Sequence, residues 1–392
     1  LDKTPIIGKG IGKAVKGTKQ LLKYAIYHSN LFEDLGFKYL GPIDGHNLDE
    51  LTEALMVAKM MQRPCLVHIY TKKGKGYAPA EDNSGEYHGL PPKKDDDNNC
   101  KGECFTDVFG KALLSFADND NSIYAVTAAM KYGTGLQHFY KAFPERFFDV
   151  GIAEQHAVTF SAGLASQGKL PVFAVYSSFL QRSYDQLIHD CAIEKRHVVL
   201  GIDRAGFVGE DGETHHGLFD VAMLTTVPGV TVYSPSDTAE LSQCLEQALY
   251  KDKGVVAVRY PRGCELYRSG TKAYSDFRHV SNKSRKLIFT YGRISAYAYT
   301  VHGVDVLQAI KIFPIADEII DICLAYDEIY AFEEGEREGG IAQKLCTALA
   351  LAGFKGRFTI TAVDGFVRHA DVATQLHNAM LDADGMRKIT GE

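Results

Sequence analysis

Between residues 103 and 263, short apolar runs alternate with stretches of helical periodicity: IYAV (123–126), FFDV (147–150), PVFAVY (171–176), HVVLGID (197–203), VTVYS (230–234) and VVAVRY (255–260). No other feature constrains the fold of this chain as strongly. Each run has strand length, and the gaps between runs leave room for the crossover helix that parallel strands require and hairpins do not. The pattern predicts an α/β fold, with a parallel sheet carrying helices on both faces.

One stretch inside this block concentrates the chemistry, FFDVGIAEQHAVTFSAGLASQGKLPVFAVYSSFLQR at 147–182. Phe147 to Val150 reads as a short buried strand. Ala153 to Ala165 reads as a helix whose small residues, with Val158, Phe160 and Leu164, suit close packing on a sheet. Glu154 then falls in the first helical turn. A carboxylate there is either an exposed acid that complements the helix dipole or a buried acid with a raised pKa that handles protons. The surroundings favour the second reading, because the strand Pro171 to Tyr176 runs into SSFLQRSYDQ and places Tyr176, Phe179 and Arg182 at a strand end. In open α/β sheets ligands bind there. Asp149, inside its strand, is expected to play a hydrogen-bonded structural role.

The 392 residues, 45% of them hydrophobic, suffice for two or three domains with sizeable cores. Residues 1–90 form a first block. GKGIGK (8–13) has no strand before it and no Lys-Ser or Lys-Thr end, so it is set aside as a phosphate loop. Asn47, with Glu50 three positions on, marks a helix start; Leu48, Leu51, Leu55 and Ala58 give the apolar face, and CLVHIYT (65–71) reads as a buried strand. That strand leads into TKKGKGYAPAE, where Gly74 and Gly76 permit close backbone approach and Lys73 and Lys75 bring positive charge, as a diphosphate requires. A solvated basic turn accounts for the same residues.

PPKKDDDNNCKG (91–102) is too charged to pack and reads as a linker, 103–265 as the α/β domain, and 266–285 as a second polar connection. Residues 286–392 read as a smaller α/β domain with KLIFTYGR, DEIYAFEE and RFTITAV as strands, IAQKLCTALALAG as a helix, and no evident catalytic constellation. A formal charge of -6 gives no support to nucleic-acid or anionic-membrane binding, and no apolar run is long enough to span a bilayer. The start, LDKTPIIGKGIGKAVKG, lacks a signal-peptide core and a Met, so we expect an internal starting point and a cytoplasmic or plastid-stromal protein. The cysteines are scattered, several within apolar runs, which fits reduced packed thiols better than a disulfide framework. Cys100 and Cys104, the one pair close in sequence, lack the second pair a zinc site needs.

GIAEQHAVTFSAGLA, YSSFLQRSYDQ, DRAGFVGEDGETHHG and VRYPRG follow one another as they do in the 1-deoxy-D-xylulose-5-phosphate synthase family. The chain resembles that family over nearly its whole length, from IGKGIGKAVKGTKQ through GPIDGHN and TKKGKGYAPAE to AFEEGEREGGIAQKL. The resemblance implies a transketolase-like fold, a homodimer, and thiamine diphosphate with Mg2+ as cofactors. The implied reaction condenses pyruvate with glyceraldehyde 3-phosphate, with loss of carbon dioxide, toward isoprenoid, thiamine and pyridoxal precursors. Decarboxylation of a 2-oxo acid needs an electron sink that no side chain provides and that the cofactor supplies.

Carried onto this sequence, the resemblance implies Glu154 as the acid at the cofactor's pyrimidine, Phe179 stacked on that ring, and Met130 shaping its pocket. Lys73, Tyr77 and His88 match positions on the diphosphate side and at the substrate entrance, and Asp211 and His215 match an acid and an imidazole for substrate hydrogen bonding and proton transfer. Arg204 in DRAG and Arg262 in YPRG each follow a strand, so both can reach the ligand edge of the sheet as an anion site, with Tyr176 and Arg182 nearby. Taken singly, each arginine reads as a surface ion-pair partner.

One family element has no counterpart. The Gly-Asp-Gly motif with a paired Asn downstream is absent, and PIDGH (42–46), GEDGE (209–213) and VDGF (363–366) do not replace it. We therefore expect a synthase without its first portion, with the Mg2+ ligands in an amino-terminal segment or a separate subunit, and assign no metal ligand here. A transketolase or the beta subunit of a 2-oxo acid dehydrogenase shares the layout but matches YSSFLQRSYDQ and DRAGFVGEDGETHHG less closely. A non-catalytic partner protein is the alternative from another class.

Overall fold

A computed structural model describes residues 30–88, 103–266, 270 and 273–392, in two compact units divided at Lys93 and Lys94. GKGIGK, the 91–102 stretch and Cys100 lie outside the described residues.

The first unit is built on β1 (Lys38–Asp44), α1 (Leu48–Met60) and β2 (Cys65–Tyr70), the two strands pairing in parallel with Lys38 opposite Cys65. Asn47 caps α1 as expected, its side-chain oxygen accepting from the Glu50 amide at 3.3 Å. The expectation of a buried strand at CLVHIYT is corrected: Cys65 to Val67 are half-buried and His68 to Tyr70 exposed. Leu48 and Leu55 of the expected apolar face are 71% and 51% exposed. Among the described residues of this unit, a two-stranded sheet with one crossover helix has too few layers to bury a strand on both faces.

In the second unit the predicted alternation becomes a seven-stranded sheet of order β12-β7-β8-β6-β5-β3-β4. Its members are β3 (Ile123–Thr127), β4 (Phe147–Asp149), β5 (Leu170–Tyr176), β6 (Val198–Asp203), β7 (Thr231–Tyr233), β8 (Val255–Arg259) and β12 (Lys311–Phe313). All pair in parallel except β12 with β7. The pleat of β5 explains its unbroken apolar run. Val172 and Ala174 pack with Phe109 and Leu113 of α2 (Phe105–Asn119) and Leu241 and Leu245 of α4 (Thr238–Tyr250). Phe173 and Val175 pack in a separate core with Ala157, Val158 and Ala162 of α3 (Glu154–Ser166).

A five-stranded sheet follows, of order β14-β13-β10-β11-β9, with β9 (Phe277–Val280), β10 (Lys286–Tyr291), β11 (Asp305–Ala309), β13 (Glu328–Glu336) and β14 (Arg357–Val363). α5 (Ile341–Leu351) and α6 (Val372–Asn378) flank it. The stretch 266–285, expected as a connection, contributes β9, which pairs antiparallel with β11. Its polar composition suits an edge strand, and Arg278 is paired to Glu240 at 2.9 Å. The thiols of Cys191, Cys244 and Cys323 are buried as expected, whereas Cys104 and Cys264 face each other across an isolated antiparallel bridge with sulfurs 2.8 Å apart. Among the described residues no helix is long and apolar enough to cross a membrane.

Candidate active site

The carboxyl-terminal ends of the parallel strands carry nearly every site residue expected in this unit, because successive crossovers return the chain to the same edge. Glu154 follows β4 and opens α3. It is 2% exposed, which excludes the exposed first-turn acid. Its Oε2 lies 3.2 Å from Nε of Arg182, within ion-pair range, yet no donor is aligned to form a hydrogen bond with that oxygen. A buried carboxylate oxygen with an open lone pair is costly unless something donates or shares a proton there. The structure thus brings Arg182, expected near the anion site of Arg204 and Arg262, to the acid.

β5 ends at Tyr176 and passes into a short turn of helix, Ser177–Leu180. Tyr176 and Phe179 stack with centroids 5.6 Å apart, and His215 stands edge-on to Phe179 at 5.1 Å. The sulfur of Met130, after β3, accepts from the Tyr176 amide at 3.4 Å. Burial pushes the Tyr176 phenol above its ordinary pKa, so it stays protonated. Gly133 explains how Tyr176 is accommodated: a Cβ there would lie 1.7 Å from the phenolic oxygen.

β6 delivers Asp203 and Arg204. Arg204 adopts a φ of 64°, rare for a residue with a side chain and consistent with local constraint. Its guanidinium covers the Tyr176 ring at 3.7 Å and donates to Gly133 O at 2.8 Å, Asp203 Oδ1 at 3.1 Å and Asp211 Oδ2 at 3.2 Å. Arg262, beyond β8, reaches Asp211 Oδ1 at 3.0 Å and donates to Val208 O at 3.1 Å. The two arginines converge as the strand-end argument predicted, with Asp211 bridging them through both oxygens. His215 Nδ1 is 2.9 Å from the Thr214 hydroxyl.

Lys73, Tyr77 and His88 belong to the first unit. Lys73 Nζ contacts His88 Nδ1, and Tyr77 is edge-on to Tyr87 at 5.7 Å. Gly74 and Gly76 both have positive φ, 81° and 97°, and Glu81 pins their loop by accepting from the Gly76 amide at 2.8 Å and pairing with Lys72 at 2.7 Å.

Sequence reasoning missed several groups. Asp203 is fully buried beneath Arg204, accepts from the Thr106 hydroxyl at 2.7 Å, and has its pKa pushed up to about 6 by burial, against the opposing pull of Arg204. The signal was available in its place at the end of an otherwise apolar strand. Glu334 and Gln375 were missed because nothing local marks them. A cavity of about 610 Å³ is lined by Ser177, Ser178, Gln181, Tyr184, Phe219 and Met223 among others, and none of the expected site residues lines it.

Fold and site together define a transketolase-type α/β chain. Residues 104–265 match the family model for the transketolase pyrimidine binding domain, and residues 2–71 match that for 1-deoxy-D-xylulose-5-phosphate synthase. A solved split-gene transketolase chain, an inactive beta4 tetramer, shares the fold with a TM-score of 0.65 at 23% identity, over 72% of this chain and 96% of that one. The 1-deoxy-D-xylulose-5-phosphate synthase of Clostridium kluyveri is 48% identical over 309 residues, 76% of this chain and 49% of its own length. That of Caldanaerobacter subterraneus is 40% identical over 403 residues, 98% of this chain and 65% of its own length. The chain belongs to the 1-deoxy-D-xylulose-5-phosphate synthase family and spans 49% and 65% of the length of these two relatives.

Proposed function

We propose that this chain furnishes the pyrimidine-side part of a site that condenses pyruvate with glyceraldehyde 3-phosphate, releasing carbon dioxide and forming 1-deoxy-D-xylulose 5-phosphate. The observation that carries the reading is the buried Glu154 oxygen with no hydrogen-bond partner, at the first residue of α3 on the ligand edge of the sheet that also carries Phe179. Such an oxygen fits a protonatable ring nitrogen, and Phe179 and Met130 fit the flat face of a pyrimidine. Thiamine diphosphate, when bound, supplies the electron sink for decarboxylation.

In this reading Glu154 holds a proton at the ring nitrogen, and Arg182 keeps the carboxylate oriented. Tyr176, Arg204 and Arg262 receive the acceptor's phosphate, with Asp211 fixing the spacing of the two guanidiniums and His215 placed for proton transfer. For Lys73, Tyr77 and His88 the assignment to the diphosphate side rests on motif resemblance. Among the described residues no group of three His, Cys, Asp or Glu side chains could hold a metal ion. We assign the Mg2+ ligands to a Gly-Asp-Gly segment that the 392 residues do not contain. A homodimer in a thiol-reducing compartment, cytoplasm or stroma, completes the proposal.

The test is product identity. Incubation of the protein, supplemented with an amino-terminal segment bearing the Gly-Asp-Gly motif, with labelled pyruvate and glyceraldehyde 3-phosphate is expected to give 1-deoxy-D-xylulose 5-phosphate by NMR. Formation of a transketolase product instead would reject the assignment. A second reading, that the chain alone is catalytically silent, is supported by the absence of a Gly-Asp-Gly motif from its sequence. Calorimetric titration with thiamine diphosphate and Mg2+ should then show binding only after the segment is added, and micromolar binding by the chain alone would contradict it.

A further inference from the structure

We infer that Glu334, Arg293 and Gln375, on and beside the five-stranded sheet, are positioning residues that hold the loop presenting Arg204, Asp211 and His215. The inference rests on the proposed reading of that loop as the acceptor side of the site. The loop leaves β6 and is closed at its mouth by reciprocal backbone bonds between Gly206 and Gly217, both 2.8 Å. Inside, it makes the short helical turns Gly209–Asp211 and Glu213–His215, neither of which supplies an acceptor to the amides of Phe207, Val208 and Gly209, so these need other partners.

Three side chains provide them in succession. The Phe207 amide donates to Glu334 Oε1 at 2.7 Å, the Val208 amide to His216 Nδ1 at 3.2 Å, and the Gly209 amide to Gln375 Oε1 at 3.3 Å. The carbonyls are held too, Phe207 O by Arg293 Nη2 at 2.8 Å and Val208 O by Arg262. Arg293 and Glu334 are 6% and 5% exposed, and bond to each other through Nε to Oε2 at 2.9 Å and through a second, shorter contact. A buried ion pair contributes little to stability unless its remaining donors and acceptors are used. Here they are used on the backbone of the loop.

The sequence around the pair fits this role. β13 carries two adjacent acids whose side chains leave opposite faces of the strand. Glu333 caps α5 through the Ile341 and Ala342 amides at 2.9 and 2.8 Å, while Glu334 turns to the loop. Gly206, at a φ of 79°, sits so close that a Cβ would lie 2.3 Å from Glu334 Oε1, so the carboxylate and a larger residue exclude each other. Gln375 additionally donates to Arg368 O at 3.1 Å, which fixes which end of its amide faces Gly209.

Gln375→Met keeps the volume and removes the acceptor. In the intact protein, amide hydrogen exchange of Phe207 to Gly209 should accelerate roughly tenfold to a hundredfold while β5 and β13 amides keep their rates. Unchanged loop exchange, or acceleration spread equally over both sheets, overturns the positioning role. In protein supplemented with the amino-terminal segment, the same variant should raise KM for glyceraldehyde 3-phosphate severalfold and leave KM for pyruvate unchanged. An unchanged acceptor KM despite a loosened loop overturns the link to substrate. A parent protein that does not use glyceraldehyde 3-phosphate overturns the proposed function instead, and the exchange comparison still decides the loop.

Discussion

The two units of the molecule treat their apolar residues in opposite ways. Among the described residues of 30–88 only Ala80 is buried, while Leu31, Leu35, Leu48 and Met60 are 65% or more exposed. In 103–392 the strands β5, β6 and β8 bury nearly every side chain, and the polar groups at their ends are held by several partners each. The proposed site, which would fix a proton donor and two guanidiniums within fractions of an ångström, needs such a base, because the rotamers of reacting groups are set by what packs behind them. Lys73 and His88 of the first unit stand on exposed turns, the first of them held by Glu81 at the Gly76 amide and Lys72 ammonium and by His46 at the Lys72 amide.

The contrast is broken most directly by a matched pair of truncations. Leu200→Ala in β6 should cost about 2–5 kcal/mol, and Leu48→Ala in α1 within about 0.5 kcal/mol, read for each unit by exchange-detected denaturation. Comparable costs would mean that the first unit has a core of its own strength.

A second effect belongs to the buried polar base. Asp203 has a folded pKa of about 6 against an ordinary 3.8, so between about pH 4 and pH 6 the native state keeps a proton that the unfolded chain has released. Stability therefore falls as pH rises through that window, by on the order of 2–3 kcal/mol. Asp203→Asn should flatten this part of the pH profile in urea titrations, and an unchanged slope would place the titrating group elsewhere.

The smallest of these effects sharpens the comparison at the site. Arg262→Ala should cost on the order of 1.5–3 kcal/mol in transition-state stabilisation with glyceraldehyde 3-phosphate, and much less with unphosphorylated glyceraldehyde. Equal losses with both acceptors would leave Arg262 as a partner of Asp211 and Val208 only.

What the sequence revealed follows from the range of the interactions involved. β5 and β6 were legible because a strand buried on both faces is written as one apolar run, and Arg204 and Arg262 because strand ends share an edge. Glu154 was legible from its apolar helix. Arg182 was placed at the right edge, but its pairing with Glu154 was not legible, since the short turns after β5 decide which way its side chain swings. β2 read as buried because its residues are apolar, although burial depends on neighbouring layers that one strand cannot specify. Glu334 and Gln375 were not legible at all, since they meet Phe207 and Gly209 across 127 and 166 positions. In a local reading, AFEEGE shows two acids in a strand and nothing about where they point.

The central claim is that Glu154 shares a proton with the cofactor's pyrimidine, and the exchange rate of the thiazolium C2 proton tests it most directly. That rate is measured by quenched-flow NMR on bound thiamine diphosphate, in the parent and in Glu154→Gln, both supplemented with the amino-terminal segment. The account predicts near-normal cofactor binding with exchange slowed by about 10² to 10⁴ in the variant. Exchange at the parent rate would contradict it.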